Sequence, residues 1–515
     1  MSLVINLKKK IIKHLNFFKK NHLLFISGAI LLSISALFYV FTAESYQIIE
    51  ALSIWVREWF GQFYLVLGLF SVLLLVVVAF SKWGFYKLGK ANEKPAFSNI
   101  AWISMLYSAG MGAGILLRAV QEPVFMQQNP PIQNNASVEI KALEFTFYQW
   151  GVTAWAFYTL FALAIGTVAF KYGRPLITSS TVFDTKKYSS KNRFKYLGIA
   201  LTDLLTILTT VFGLVAAVAL GASQIKGGLD HLFGLTLNAN YSIALILFIG
   251  FLALLSALSG VEKGIKRLST ANIYLTLALL VFVFLQTDML LILKQYALAL
   301  YRYVLEFIPM SLALGDFDPG KAFLTDWTYY YWAFWLAWAP FTGLFIARIS
   351  RGRTIREIIL GVLLIPSFGS FFWFTVFGQS AFEMINAVGE YTGEFDNVFT
   401  SLFIFLSNYP AQSIVNTIVV ILLVSFLVTS LDSAILVLSI FTSKDTHNPS
   451  KKHRIIWSML LTICAIGIVM LSFVKKEEDV LSAVQKLLII TSLPLSFFMI
   501  VMIFKWIQNL NKKES

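Results

Sequence analysis

The chain has 515 residues, of which 58% are hydrophobic and 13% charged. A soluble domain carries about a quarter charged residues, so the composition excludes a soluble enzyme with an anchor and points to a polytopic membrane protein. The formal net charge of +14 is accounted for by basic loops on one side of a membrane and requires no nucleic-acid partner. The single cysteine, Cys464, excludes an internal disulfide and a thiolate metal cluster. The histidines (His14, His22, His231, His447 and His453) lie in tails and loops without metal-ligand spacing.

In chain order, residues 1–22 form a basic stretch with alternating apolar residues, expected to be a cytoplasmic tail lying on anionic lipid. It is no cleavable signal: the first apolar run is span length and ends without a small-residue cleavage site. Apolar runs of span length fall near 23–43, 61–80, 100–120, 145–170, 197–224, 241–260, 271–287, 327–347, 357–378, 415–441, 454–473 and 484–507. Twelve spans put both termini on one side. The even-numbered connections carry Lys82, Lys87, Lys90 and Lys94, a second basic group from Lys171 to Lys195, and the arginines Arg348 to Arg356. The odd-numbered ones carry acids such as Glu144, Asp230, Asp288, Asp316, Glu383 and Glu394. The termini, including the short tail 509–515, are therefore expected in the cytoplasm. Residues 291–308 are amphipathic but too polar to span, and predict a helix on the outer surface. Residues 260–269 predict a short cytoplasmic helix before the seventh span.

Several spans carry chemistry. The third contains Ser108–Gly114, SAGMGAG, with glycines at 110, 112 and 114. No strand precedes it, so it is no nucleotide-binding turn. Each glycine weakens a helix by roughly 1 kcal/mol relative to Ala. Either the span breaks and presents free backbone groups to ions, or its small residues allow close helix packing. The fourth span has Trp150, Trp155 and Tyr158 in mid-membrane. The fifth holds Asp203 with Thr202, Thr206, Thr209 and Thr210, whose hydroxyls either satisfy backbone carbonyls or ligate a cation. The tenth holds Thr429, Ser430, Asp432 and Ser433; an ionisable residue there is functional by default, or pairs with an arginine or a helix end.

The eighth span is the densest signal. Trp327–Trp338 contains four tryptophans, three tyrosines and a phenylalanine. On a 3.6-residue period, Trp327, Tyr331, Phe334, Trp335 and Trp338 share a face and Trp332 lies off it. An aromatic stripe through mid-span is either packing with an interfacial belt or a lining that attracts cations. The aromatics of the fourth span supply an opposite wall, and two such walls can box a quaternary ammonium.

In order along nearly the whole chain, AGMGAG…EP (Ala109–Pro123), QWGVTAW (Gln149–Trp155), DLLTILTTVFG (Asp203–Gly213), GVEKGIKRLS (Gly260–Ser269), the stretch Asp326–Glu357 and TSLDS (Thr429–Ser433) resemble the betaine/choline/carnitine transporters. The resemblance implies an all-α protein of twelve transmembrane helices with a leucine-transporter-like inverted repeat. Residues 99–290 and 321–508 would be the repeats, 23–98 two extra helices in front, and 291–320 the external helix and loop. It implies import of a betaine-like quaternary ammonium osmolyte (glycine betaine, choline or carnitine) by alternating access, sodium coupling, no enzyme activity, a homotrimer, and a place in the bacterial inner membrane. By the same resemblance Trp150, Trp155, Tyr158 and Trp335 form the ammonium box, Trp332, Phe334 and Trp338 the pathway aromatics, and the backbone of Ala109, Gly110, Met111 and Gly112 the carboxylate contact. Ser108, Met111, Phe426, Thr429 and Ser430 form one sodium site, and Thr210 with Phe341 a second. Three positions depart from the pattern. Phe334 stands where the family usually has Trp. Leu214 replaces a Thr of sodium-coupled betaine carriers. Arg118 is a charge not expected in the outer third span. Gly114 fits sodium coupling, because proton-driven choline carriers tend to have Asp there. Sodium-independent exchange, proton-coupled choline import and a non-transporting sensor are the alternatives; no filter-like carbonyl loop supports a channel.

Overall fold

In hydrocarbon there is no water to satisfy a backbone N–H or C=O, so apolar segments close their hydrogen bonds internally, as helices. The protein follows this rule in a computed structural model that describes residues 21–90, 92–110, 112–184, 193–259, 262–443, 449–474 and 480–511. The side chains of 107–110, 193, 239, 259 and 262–267 also lie outside the description, as do the basic tail and Met111.

The helices run in order as α1 (His22–Val40), α2 (Thr42–Phe80), α3 (Asn99–Gly110), α4 (Ala113–Arg118), α5 (Gln121–Gln128), α6 (Val138–Trp150) and α7 (Val152–Gly166). They continue as α8 (Arg193–Phe233), α9 (Ala239–Ser259), α10 (Glu262–Phe284), α11 (Met289–Leu312), α12 (Lys321–Asp326) and α13 (Thr328–Ile349). The last are α14 (Ile355–Val388), α15 (Ser401–Leu406), α16 (Gln412–Thr442), α17 (Lys451–Ser472) and α18 (Val480–Asn511). Among the described residues the fold is all-helical, with one isolated antiparallel bridge, Lys87 to Thr354.

Among the described residues ten helical stretches are long and apolar enough to cross a membrane, with α6–α7 and α12–α13 each counted as one, or eleven if α11 is joined to the Leu268–Phe284 part of α10, from which it bends by 110°. Two of the twelve expected spans are missing from the ten: the seventh, whose Leu268–Phe284 part passes only together with α11, and the third, which is cut. Its pieces α3, α4 and α5 have 12, 6 and 8 residues, each short of the roughly 20 a span needs. Two local expectations are corrected. Residues 262–269 form no separate helix but the first turns of the continuous α10. The apolar run near 61–80 is not a helix of its own but the second half of α2, one helix of 39 residues, whose polar first half has partners such as Lys486, its Nζ 2.9 Å from Glu50. The amphipathic segment at 291–308 is helical, as α11, and packs on α6, α2 and α14.

The core centres on α13, which packs against α7, α18 and α8. At one end of the bundle the arginines after α13 tie it to the loop before α3. Arg353 donates to Asn99 Oδ1 (2.9 Å) and to the Phe97 carbonyl (3.0 Å). Arg351 pairs with Glu93 at 2.5 Å, and Arg356 donates to the Ala79 carbonyl at 2.7 Å. Thr354 and Glu357 then start α14 with a reciprocal capping box.

Candidate functional site

Two helix breaks lie side by side in the core. The third span stops at Gly110 and resumes at Ala113, with Gly112 extended (φ −145°, ψ −175°). The fourth stops at Trp150 and resumes at Val152. Here only glycine fits at 151, because an added Cβ would lie 2.6 Å from the Tyr303 hydroxyl and 2.8 Å from Phe371 Cζ. The groups the second break frees are met by side chains. The Val152 N–H donates to the Tyr303 hydroxyl (3.2 Å), and Trp335 Nε1 donates to the Gln149 carbonyl (3.0 Å). Gly114 faces across to Trp150: its Cβ position is 3.5 Å from Trp150 Cη2. A Cβ on Gly112 would meet nothing within 4 Å among the described residues, so none of them closes the space beside the first break.

The aromatics converge there. Trp150 and Trp335 meet edge to face with centroids 5.1 Å apart. Tyr158 lies 5.4 Å from Trp155 and 6.4 Å from Trp335, perpendicular to both at 88°. Thus all four residues expected in the box are brought together, on α6, α7 and α13. Phe374 of α14, 5.1 Å from Trp150, forms a further wall. Phe334 abuts Trp335 at 5.1 Å and stacks on Trp338 at 6.0 Å. Trp338 turns towards α8, where its Nε1 donates to the Gly213 carbonyl at 3.0 Å. Trp332 is not brought to the group. It is 1% exposed, packs on Tyr148 at 5.1 Å and fills the groove left by Gly68 of α2.

Sequence reasoning left Glu122 and Tyr331 out of the site. Glu122, fully buried on α5, accepts from Trp150 Nε1 at 3.1 Å and from the Tyr331 hydroxyl. It therefore clamps one box tryptophan to α13. Its other oxygen has no hydrogen-bond partner among the described residues. The EP pair was visible in the sequence, but its partners lie 28 and 209 positions away. Arg118 is 4% exposed. It donates to Gln121 Oε1 at 2.6 Å, and its guanidinium carbon stands 4.8 Å over the Trp327 ring.

The candidate cation ligands are arranged less uniformly. Of the first set, Met111 and the Ser108 side chain lie outside the description. Phe426, Thr429 and Ser430 are on α16, which packs against α4. The Thr429 hydroxyl donates back to the Ser425 and Phe426 carbonyls, each at 3.0 Å, the usual satisfied state of a mid-helix Thr. Of the second set, Thr210 Oγ1 is buried without a hydrogen-bond partner among the described residues. Phe341 packs beside Trp338 at 5.7 Å. The neighbouring threonines are satisfied, Thr206 by the Thr202 carbonyl (2.8 Å) and Thr209 by the Thr491 carbonyl (2.9 Å). Asp203 accepts from the Ser179 N–H at 3.3 Å, and Asp432 accepts from Ser256 at 3.1 Å with Arg454 nearby. These two acids have structural partners.

Comparison with known proteins agrees with this constellation. Residues 22–515 match the family described as BCCT, betaine/carnitine/choline family transporter. The glycine betaine transporter OpuD of Bacillus subtilis (strain 168) is 34% identical over 485 residues, 93% of this chain and 92% of that protein. The high-affinity choline transport protein of Escherichia coli (strain K12) is 34% identical over 453 residues, 86% of this chain but 65% of that protein. The betaine/ectoine transporter LcoP of Corynebacterium glutamicum is 35% identical over 468 residues, 88% and 71% of the two chains. These relatives are transporters, not enzymes, and the chain belongs to the betaine/carnitine/choline family of multi-pass membrane transporters.

Proposed function

We propose that the protein imports a betaine-like quaternary ammonium osmolyte by alternating access, coupled to sodium. The observation that carries this reading is the cluster of Trp150, Trp155, Tyr158 and Trp335 rings beside the space at Gly112. A trimethylammonium group is a poorly hydrated cation, and its natural counterpart is a set of π faces from which water is excluded. The backbone of Ala109–Gly112 takes the carboxylate. Trp338 and Phe334 border the pathway, and Glu122 holds Trp150 and Tyr331 in register. Neither contact makes a covalent bond, so the cycle consists of binding, closure and release.

Sodium is a co-substrate in this reading. Thr210 Oγ1 is a buried oxygen with no hydrogen-bond partner among the described residues, and Thr429, whose hydroxyl donates to its own helix carbonyls, keeps its lone pairs for a cation. The broken third span counts as one crossing, giving twelve spans. Residues 99–290 and 321–508 form the inverted repeats, and the Lys- and Arg-rich connections with both termini face the cytoplasm of a bacterial inner membrane. The assembly is a homotrimer, which mass measurement in detergent tests. Uptake of labelled glycine betaine into proteoliposomes tests the function. A sodium gradient should raise the initial rate at least tenfold. Uptake that ignores sodium and requires internal substrate overturns the coupling, and no uptake of any quaternary ammonium compound overturns the substrate class.

A further inference from the structure

The relatives' names divide between a zwitterion, betaine, and a monocation, choline, and family membership does not choose between them. A charge just outside the box does. On α13 three rings stack in a row: Trp327 on Tyr331 (6.4 Å, 24°) and Tyr331 on Trp335 (5.7 Å, 28°). The inner end of this row is the box. At its other end the face of Trp327 is already occupied by the Arg118 guanidinium. A guanidinium keeps its charge permanently. This one gives its only hydrogen bond among the described side chains to the neutral Gln121, not to Glu122. Glu122 attracts it electrostatically but spends one oxygen on Trp150 and Tyr331, the donors of an acceptor-only carboxylate. The Arg118 guanidinium therefore stands two rings out from Trp335, beyond Tyr331 and Trp327, and the Glu122 carboxyl lies against the box.

Resting on the transport reading above, we infer that Arg118 is a specificity-determining residue that favours zwitterions carrying both a methylated onium group and a carboxylate over monocations with the same headgroup. A monocation moving along the ring row meets a like charge in a water-poor setting, where charge–charge interactions are strong, and finds the last π face of the row taken. A betaine brings its own carboxylate, which Arg118 attracts while the onium group goes ahead to the rings beside Glu122. The selectivity comes from repulsion of the wrong substrate as much as from contact with the right one.

The test compares kcat/KM for glycine betaine and for choline with the full chain in proteoliposomes, in the wild type and in two variants. Arg118→Gln removes the charge. Gln121→Glu leaves Arg118 in place and neutralises it through its own hydrogen-bond partner. Both should lower the betaine-to-choline ratio about tenfold, which corresponds to about 1.4 kcal/mol, while Arg118→Lys keeps most of the ratio. If the ratio is unchanged in the charge-neutralising variants, or both substrates fall in proportion, Arg118 is a packing strut and the inference is overturned. If Arg118→Gln does not fold, Gln121→Glu decides alone. A wild type that takes up neither compound refutes the proposed function instead.

Discussion

Trp335 separates a box that reads charge from one that only offers apolar surface. Its ring contacts Trp150, Phe334, Tyr331 and Tyr158 at 5.1, 5.1, 5.7 and 6.4 Å, and its one polar atom is held by the Gln149 carbonyl. A cation over such a dry face gains about 2 kcal/mol, or roughly 30-fold in affinity at about 1.4 kcal/mol per decade. Trp335→Leu keeps an apolar filler and removes the π face. Its loss of the Nε1 hydrogen bond costs about 1 kcal/mol of stability but acts equally on all ligands. The assay is competition against labelled betaine by two compounds: betaine itself, and the isostere whose quaternary nitrogen is replaced by carbon. The wild type should prefer the nitrogen compound about 30-fold, and Trp335→Leu should lose most of that preference. Trp335→Phe, which keeps a smaller π face, should fall between them. If Trp335→Leu weakens both compounds by the same factor, the box does not read charge and the argument fails at its base.

Other positions give independent checks. Gly114→Ala should transport normally, since its Cβ sits at ordinary contact distance from Trp150. Gly114→Leu should abolish uptake by filling the box, while the solubilised protein stays folded. Gly68→Ala drives a methyl to 2.8 Å from Trp332 Nε1 and 2.9 Å from Thr153 Cγ2, and should lower the melting temperature in detergent by several degrees with the substrate preference unchanged; a shifted preference would place Trp332 in the pathway after all. At the arginine-tied end, the Lys90 N–H holds Glu93 below the usual carboxylate range, with Arg351 adding to it. A depressed carboxylate contributes stability that is present above its unfolded pKa and lost as pH falls through the folded value. The protection of the Lys90 amide, its exchange rate compared with the unprotected rate at the same pH, should therefore fall on acidification below the usual carboxylate range, and in Glu93→Gln it should be low at every pH.

The helices were legible because a span is a local property: 20 apolar residues in a row have one solution in hydrocarbon. The glycines at 110, 112 and 114 carried two readings in the sequence, and the helix ends at Gly110 and Ala113 decide for a break. The second break was not legible. One glycine, Gly151, looks like any small residue in a span, and its strain is visible only when Tyr303 and Phe371 arrive from elsewhere in the chain. The same distance hid Glu122, whose partners are on two other helices. Periodicity sorted the eighth span well, placing Trp332 off the aromatic face. The resemblance drew it back towards the pathway, and the structure puts it against α2. Asp432 carried two readings in the sequence, functional or structurally paired, and it is engaged by Ser256 as Asp203 is by Ser179.

One tyrosine links a helix outside the aromatic cluster to its centre. Tyr303 sits on α11, the helix that turns away by 110° after α10, yet its hydroxyl closes the backbone gap right after Trp150. The fourth span is thus completed by an atom from a helix that does not belong to it. The packing of α11 on α6, α2 and α14 therefore helps fix where the backbone beside Trp150 sits.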